Sequence, residues 1–260
     1  MTPAEQTRQA TVVTPDGWRL IDFLSDLHLR SANSATFAAF EQHLLHSRAD
    51  AIFILGDLFE AWVGDDACSD PFEQRSLNVL RRAAQTHFVG LMHGNRDFLI
   101  GADCLQDLGV TALHDPTLLI AFGQRILLSH GDAWCLADTR YQAYRAQVRS
   151  PQWQQAILQQ PLADRRALAT KIRAGSDAQR AMAEPESWAD VDTAIALQHL
   201  EAAQAHALIH GHTHRPGEHK MAPGLTRWVL SDWDLDAPHP RADVLRLSAS
   251  GLTRIAPEAD

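Results

Sequence analysis

Seven side chains able to hold a cation or a proton stand in short polar blocks along this sequence. They are Asp26 and His28 in Ser-Asp-Leu-His, Asp57 in Gly-Asp, Asn95 in Gly-Asn-Arg-Asp, His130 in His-Gly-Asp, and His212 and His214 in Gly-His-Thr-His-Arg-Pro. Taken singly each is ordinary, since Asp and Asn beside Gly are common turn residues and a lone loop His is usually only polar. Together they offer carboxylate, imidazole and one amide oxygen with no thiolate. That donor set suits manganese, magnesium, iron or zinc in open sites better than a closed structural zinc. Seven donors suit two ions. A shared carboxylate, for which Asp57 is best placed, would hold them ~3.5 to 4 Å apart and lower the pKa of a water between them.

The blocks follow short apolar runs: Leu20 to Leu24, Ala51 to Leu55, His87 to Met92, Arg125 to Leu128 and Ala207 to Ile209. Their length and their β-branched or aromatic content predict buried strands. Helical patterns over Thr36 to His46 and Phe72 to Ala84 alternate with them, which predicts an α/β fold with its ligand loops along one sheet edge. Asp26 and His28, two apart, are expected to point the same way from an extended backbone, and His212 and His214 repeat that spacing.

From Asp138 to about Ala183 the strand signal lapses. Tyr141, Tyr144, Val148, then Trp153, Ile157, Leu158, then Leu168 and Ile172 recur at helical spacing. These predict an inserted helical cap. A helix around Val191 to Ala203 follows, and strands are expected again over Thr226 to Leu230, Ala242 to Leu247 and Leu252 to Ile255. The expected division is a core over 18–137, the cap over 138–188 and the rest of the core over 189–257.

The 260 residues carry 23 basic and 32 acidic side chains, a net charge of -9. That balance argues against nucleic acid as a partner and against broad attachment to anionic lipid. Cys68, Cys104 and Cys135 form no CxxC pair, so neither a disulfide framework nor a zinc ribbon is expected and a reducing compartment fits. Met1 to Gly17 lacks the apolar centre of a signal peptide, and no stretch approaches the ~20 apolar residues of a membrane span. A cytoplasmic protein is the expectation.

In order, Asp-Leu-His (26 to 28), Gly-Asp (56, 57), Gly-Asn-Arg-Asp (94 to 97), His-Gly-Asp (130 to 132) and Gly-His-Thr-His (211 to 214) resemble the signature of the calcineurin-like metallophosphoesterases. The resemblance implies a four-layer αββα sandwich. It also implies Asp26, His28, Asp57 and His214 on one metal, with Asp57, Asn95, His130 and His212 on the other. The wording of Gly-Asp-Leu-Phe-Glu-Ala-Trp-Val-Gly-Asp-Asp, Gly-Asn-Arg-Asp-Phe-Leu-Ile-Gly and Ile-His-Gly-His-Thr-His-Arg-Pro is similar to one branch, the UDP-2,3-diacylglucosamine hydrolases of lipid A synthesis. That branch implies manganese as cofactor, a lipid-linked UDP-sugar as substrate, UMP and 2,3-diacylglucosamine 1-phosphate as products, and peripheral contact with the cytoplasmic face of the inner membrane.

Many metallophosphoesterases place a histidine after Gly-Asn as general acid; this chain has Arg96. Arginine stays protonated but can hold phosphate oxygens, which suits a leaving group that needs no proton, as in pyrophosphate cleavage. Asp57, Asn95 and Arg96 are therefore the expected catalytic residues. By resemblance Asn95, Arg96, Asp138, Ser176 and His212 contact the substrate. Where the family offers an amide and then a lysine, this chain has Arg180 and then Ala183, Glu184 and Pro185, so those two roles are not carried over. The cap's Tyr141, Tyr144, Trp153 and Ile157 are candidates for an acyl-chain groove. Two other readings use the same residues: a hydrolase of another pyrophosphate or phosphodiester, such as a dinucleoside polyphosphate, and a catalytically silent scaffold.

Overall fold

The computed structural model of the chain describes residues 10–182 and 189–258, with side chains in the last helical stretch described as far as residue 175. The strands are β1 (Ala10–Val13), β2 (Ile21–Leu24), β3 (Ala51–Ile54), β4 (Phe88–Met92), β5 (Thr111–Leu113), β6 (Thr117–Ala121), β7 (Gln124–Ser129), β8 (Ala207–His210), β9 (Gly217–Ala222), β10 (Leu225–Val229), β11 (Val244–Ser248) and β12 (Gly251–Ile255). The helices are α1 (Ser34–His46), α2 (Pro71–Ala83), α3 (Ala102–Asp107), α4 (Thr139–Val148), α5 (Pro151–Leu158), α6 (Leu162–Met182) and α7 (Thr193–Ala203).

Two six-stranded sheets form, one in the order β12-β11-β2-β3-β4-β5, the other β1-β6-β7-β8-β10-β9. The strand period of two sorts the side chains into layers. Ile21, Phe23, Ala51 and Phe53 point into the space between the sheets and meet Leu119, Ile126, Leu128 and Ile209. Leu24, Ile52 and Ile54 point outward under Phe37, Phe40 and Leu44 of α1 and Leu77 and Leu80 of α2. On the far side Ala196, Leu200 and Ala203 of α7 cover Leu118, Leu127 and Leu208. The result is helices, sheet, sheet, helix: the four-layer αββα sandwich that the resemblance implies.

β2, β3 and β4 run parallel in one sheet and β7 and β8 run parallel in the other. Their C-terminal ends carry the loops holding Asp26, Asp57, Asn95, His130 and His212. Four strands escape the apolar-run reading for physical reasons. β1 and β9 are edge strands with alternating exposure, β5 has three residues, and β6 begins directly after a turn at Pro116.

Between β7 and α7 the chain makes only helices among the described residues. Two of these begin with side-chain caps: Asp138 accepts from the Tyr141 amide at 2.9 Å, and Ser150, before Pro151, accepts from the Trp153 amide at 3.3 Å. The side chains of Ser176 and Arg180 and the whole of 183–188 lie outside the described residues.

Candidate active site

Five of the seven candidate ligands have a backbone that sequence spacing does not foresee. Asp26, His28, Asp57, His212 and His214 all lie in the left-handed region, with φ of 53°, 47°, 52°, 64° and 52°. Asp26 and His28 therefore do not project from an extended backbone; that expectation is corrected. Each strand ends, the chain turns left-handed, and the carboxylate and imidazole still meet, with His28 Nε2 at 4.0 Å from Asp26 Oδ1. The loops also approach too closely for side chains: a Cβ on Gly94 would collide with the Asp57 carboxylate, and one on Gly211 with Asp26.

Two groups of potential ligands result: Asp26, His28 and His214, and Asp26, Asp57 and His130. Asp26 is common to both. Its Oδ2 accepts from the His212 amide at 2.9 Å and from Ser25 Oγ at 2.5 Å. Its Oδ1 is buried with no hydrogen bond and faces His214 Nε2 at 3.4 Å. An orphaned carboxylate oxygen aimed at two imidazoles fits a cation. Asn95 Oδ1 lies 3.0 Å from His130 Nε2 and 2.8 Å from His212 Nδ1, so the amide oxygen and both rings converge as well.

Outer partners orient the rings. His130 Nδ1 is 2.8 Å from the Leu55 carbonyl, to which it donates, leaving Nε2 for the site. His214 Nδ1 faces the Asp232 carboxylate at 3.4 Å, which aims its Nε2 at Asp26. Asp97 is fully buried and accepts from the amides of Leu58 and Gly94, both at 2.7 Å, tying the Asp57 loop to the Asn95 loop. Asp232 and Asp97 were given no role from sequence. Asp232 nonetheless follows β10 as the other candidates follow their strands, a signal that could have found it.

The charge balance points the same way. Burial would lower the His130 pKa, but the carboxylates of Asp57, Asp132 and Asp26 outweigh it and push it up to about 9. Burial raises the Asp57 carboxyl. At Asp26 burial is overcome by the neighbouring His214 imidazole, with His130 and His28, so its pKa falls well below the carboxylate range. Burial and the neighbouring His130 take His212 down to about 3. A cation bound among these carboxylates would take over the attraction that raises His130, and its binding would release protons.

Arg96 lies over this cluster, Nε 3.3 Å from Asp57 Oδ2, while its backbone amide donates to Asp57 Oδ1 at 2.9 Å. Its Nε and Nη1 are buried without a hydrogen bond, so the guanidinium is held by charge rather than locked. Tyr141 of α4 places its ring 5.7 Å from that of His212 and donates to Asp132 at 2.5 Å. Asp138 caps α4 close by, Trp153 faces Phe98 at 6.2 Å, and Ile157 is buried.

Fold and site together define a metal-dependent phosphoesterase, and residues 20–216 match the calcineurin-like phosphoesterase family, to which the chain belongs. Within that class its similarity is to the UDP-2,3-diacylglucosamine hydrolases. It is 45% identical to the protein of that name from Ralstonia nicotianae, covering 89% of this chain and 90% of that protein. It is 47% identical to the one from Chromobacterium violaceum over 82% of this chain and 90% of that protein. For the one from Cellvibrio japonicus the identity is 42%, over 88% and 95%. The site of such an enzyme takes divalent metal ions, as this donor set does. Among the described residues no helix is long and apolar enough to cross a membrane.

Proposed function

We propose that this chain hydrolyses the pyrophosphate bond of UDP-2,3-diacylglucosamine in lipid A synthesis, water attacking the α-phosphorus to release UMP and 2,3-diacylglucosamine 1-phosphate. The observation that carries the reading is the convergence of Asp26, His28 and His214 with Asp57, Asn95 and His130, beside a guanidinium at the position next to Asn95. A site with arginine there favours a leaving group that needs no proton, and a phosphate monoester, with a second pKa of ~6, is one. The names and identities of the curated relatives supply the substrate.

In this reading Asp26, His28, Asp57 and His214 hold one ion and Asp57, Asn95, His130 and His212 the other, both Mn2+. Bound ions supply positive charge against the phosphate oxygens and lower the pKa of water. Asn95, Arg96 and His212 hold the phosphates, Arg96 offsetting charge as the bond breaks. By the family resemblance Asp138 contacts the glucosamine side of the substrate, and the same resemblance gives that role to Ser176. The lipid substrate brings the protein to the cytoplasmic face of the inner membrane as a peripheral contact.

The test incubates the protein with Mn2+ and UDP-2,3-diacylglucosamine in isotopically labelled water and follows the products by mass spectrometry. UMP and lipid monophosphate are expected together, with the label in UMP, and chelation or Asp57→Ala abolishes both. Label in the lipid phosphate would reverse the direction of attack. Turnover of a generic phosphodiester alone would leave the metal chemistry and send the substrate elsewhere.

A further inference from the structure

We infer that Glu60 is a positioning residue that ties His28, Arg96 and the inserted helix α6 together through one carboxylate. The inference rests on the reading above in which His28 holds an ion and Arg96 meets phosphate. Oε2 of Glu60 faces His28 Nδ1 at 3.6 Å, and Oε1 faces Arg96 Nη1 at 3.6 Å. The same Oε1 pairs with Nη2 of Arg173, on α6. The carboxylate is 18% exposed, so these charges are only partly screened.

The backbone explains how one side chain reaches all three. Leu29 and Phe59 form a parallel bridge, His28 donates its amide to the Asp57 carbonyl, and the Glu60 amide donates to Leu29 at 3.1 Å. Two residues on, the Trp62 amide donates to the Arg96 carbonyl at 2.9 Å. Residues 57 to 62 are thus laced to the His28 loop on one side and the Arg96 loop on the other. From this fixed point the carboxylate favours the His28 rotamer and tautomer that present Nε2 to Asp26. It also holds two guanidinium groups that would otherwise repel each other, and draws Arg96 away from full collapse onto Asp57. α6 thereby acts on the metal site without touching it.

Glu60→Gln keeps the size and removes the charge. Mn2+ binding, followed by calorimetry with no substrate present, is expected to weaken about tenfold at one site. With bis(p-nitrophenyl) phosphate, kcat is expected to fall about tenfold while KM stays within about twofold, and Glu60→Asp to restore part of both losses. Arg173→Ala is expected to reproduce part of the kcat loss, and the double variant to lose no more than Glu60→Gln alone. Unchanged Mn2+ binding and kcat in Glu60→Gln would overturn the proposal. So would additive losses in the double variant, or a loss that tracks a fall in melting temperature and is not recovered by aspartate. Failure to turn over UDP-2,3-diacylglucosamine would instead strike the functional reading, because neither the metal titration nor the diester assay depends on it.

Discussion

Between the two sheets Phe23 and Phe53 lie with ring centroids 5.6 Å apart and neither reaches solvent, whereas among the described residues α4, α5 and α6 contribute no side chain to the three apolar clusters. Beside Tyr141, which donates to Asp132, and Trp153, which faces Phe98, these helices reach the rest of the protein through a set of arginines. Arg145 donates to Asp132 at 2.8 Å, Arg149 to the Gly94 carbonyl at 2.8 Å, Arg165 to the Val63 carbonyl and Asp66, and Arg166 and Arg173 pair with Asp70 and Glu60. Apolar burial is non-directional and strong in sum. Arginine contacts are directional and individually weak. The sandwich is built to stay shut, and α4 to α6 to be placed accurately while remaining separable.

Four measurements bear on that contrast. Phe53→Ala should be the most damaging, removing about 3 to 5 kcal/mol of stability in a denaturant titration because it opens a cavity between the sheets. Stripping the metal should come next. Relative to protein at an ion concentration of 100 times Kd, the chelated form should lose about 2.7 kcal/mol for each ion removed, seen as a lower melting temperature with the sandwich still folded.

Acid should then act through the outer face of β2. Burial there would raise the Asp22 carboxyl, but its hydrogen bonds to Arg246, His43 and Ser47 win and bring the pKa to about 2 from 3.8. A lowered carboxylate pKa gives stability that is present above pH 3.8 and is lost as pH falls toward 2. About 2 kcal/mol should disappear across that window, and Asp22→Asn should flatten the slope.

Arg165→Ala should have the least global effect. Its side chain is 3% exposed, so about 1 to 2 kcal/mol should be lost locally, as faster amide exchange in α4 to α6 with the sheets still protected. If the sheets exchanged faster as well, the insertion would be part of the same cooperative unit and the contrast would fail.

The same division governs what could be read from the residues. Residues 20–24 and 51–55 are short, nearly continuous apolar runs that stop abruptly at polar residues, and their length and composition are enough to predict buried strands and their ends. Donor chemistry at Asp26, Asp57, Asn95, His130 and His212 is equally visible, and the fold does bring these side chains together. The left-handed turns are not visible, because Asp and His leave no mark of φ in their spacing; the two-residue rule found the right neighbours by the wrong geometry. Glu60 and Asp97 were missed for a different reason. Their partners, Arg173 and Arg96 for one and Leu58 and Gly94 for the other, meet only once distant loops have been folded against each other.

The five left-handed candidate ligands carry a further consequence. A non-glycine residue in that region gives up about 1 to 2 kcal/mol relative to its relaxed backbone, with Asp and Asn at the lower end. The site is thus a reservoir of instability held in place by the sandwich, a stability–function trade-off written into the main chain. Lineages released from selection for catalysis would be expected to drift toward glycine or asparagine at positions 26, 28, 57, 212 and 214, becoming sturdier as they fall silent.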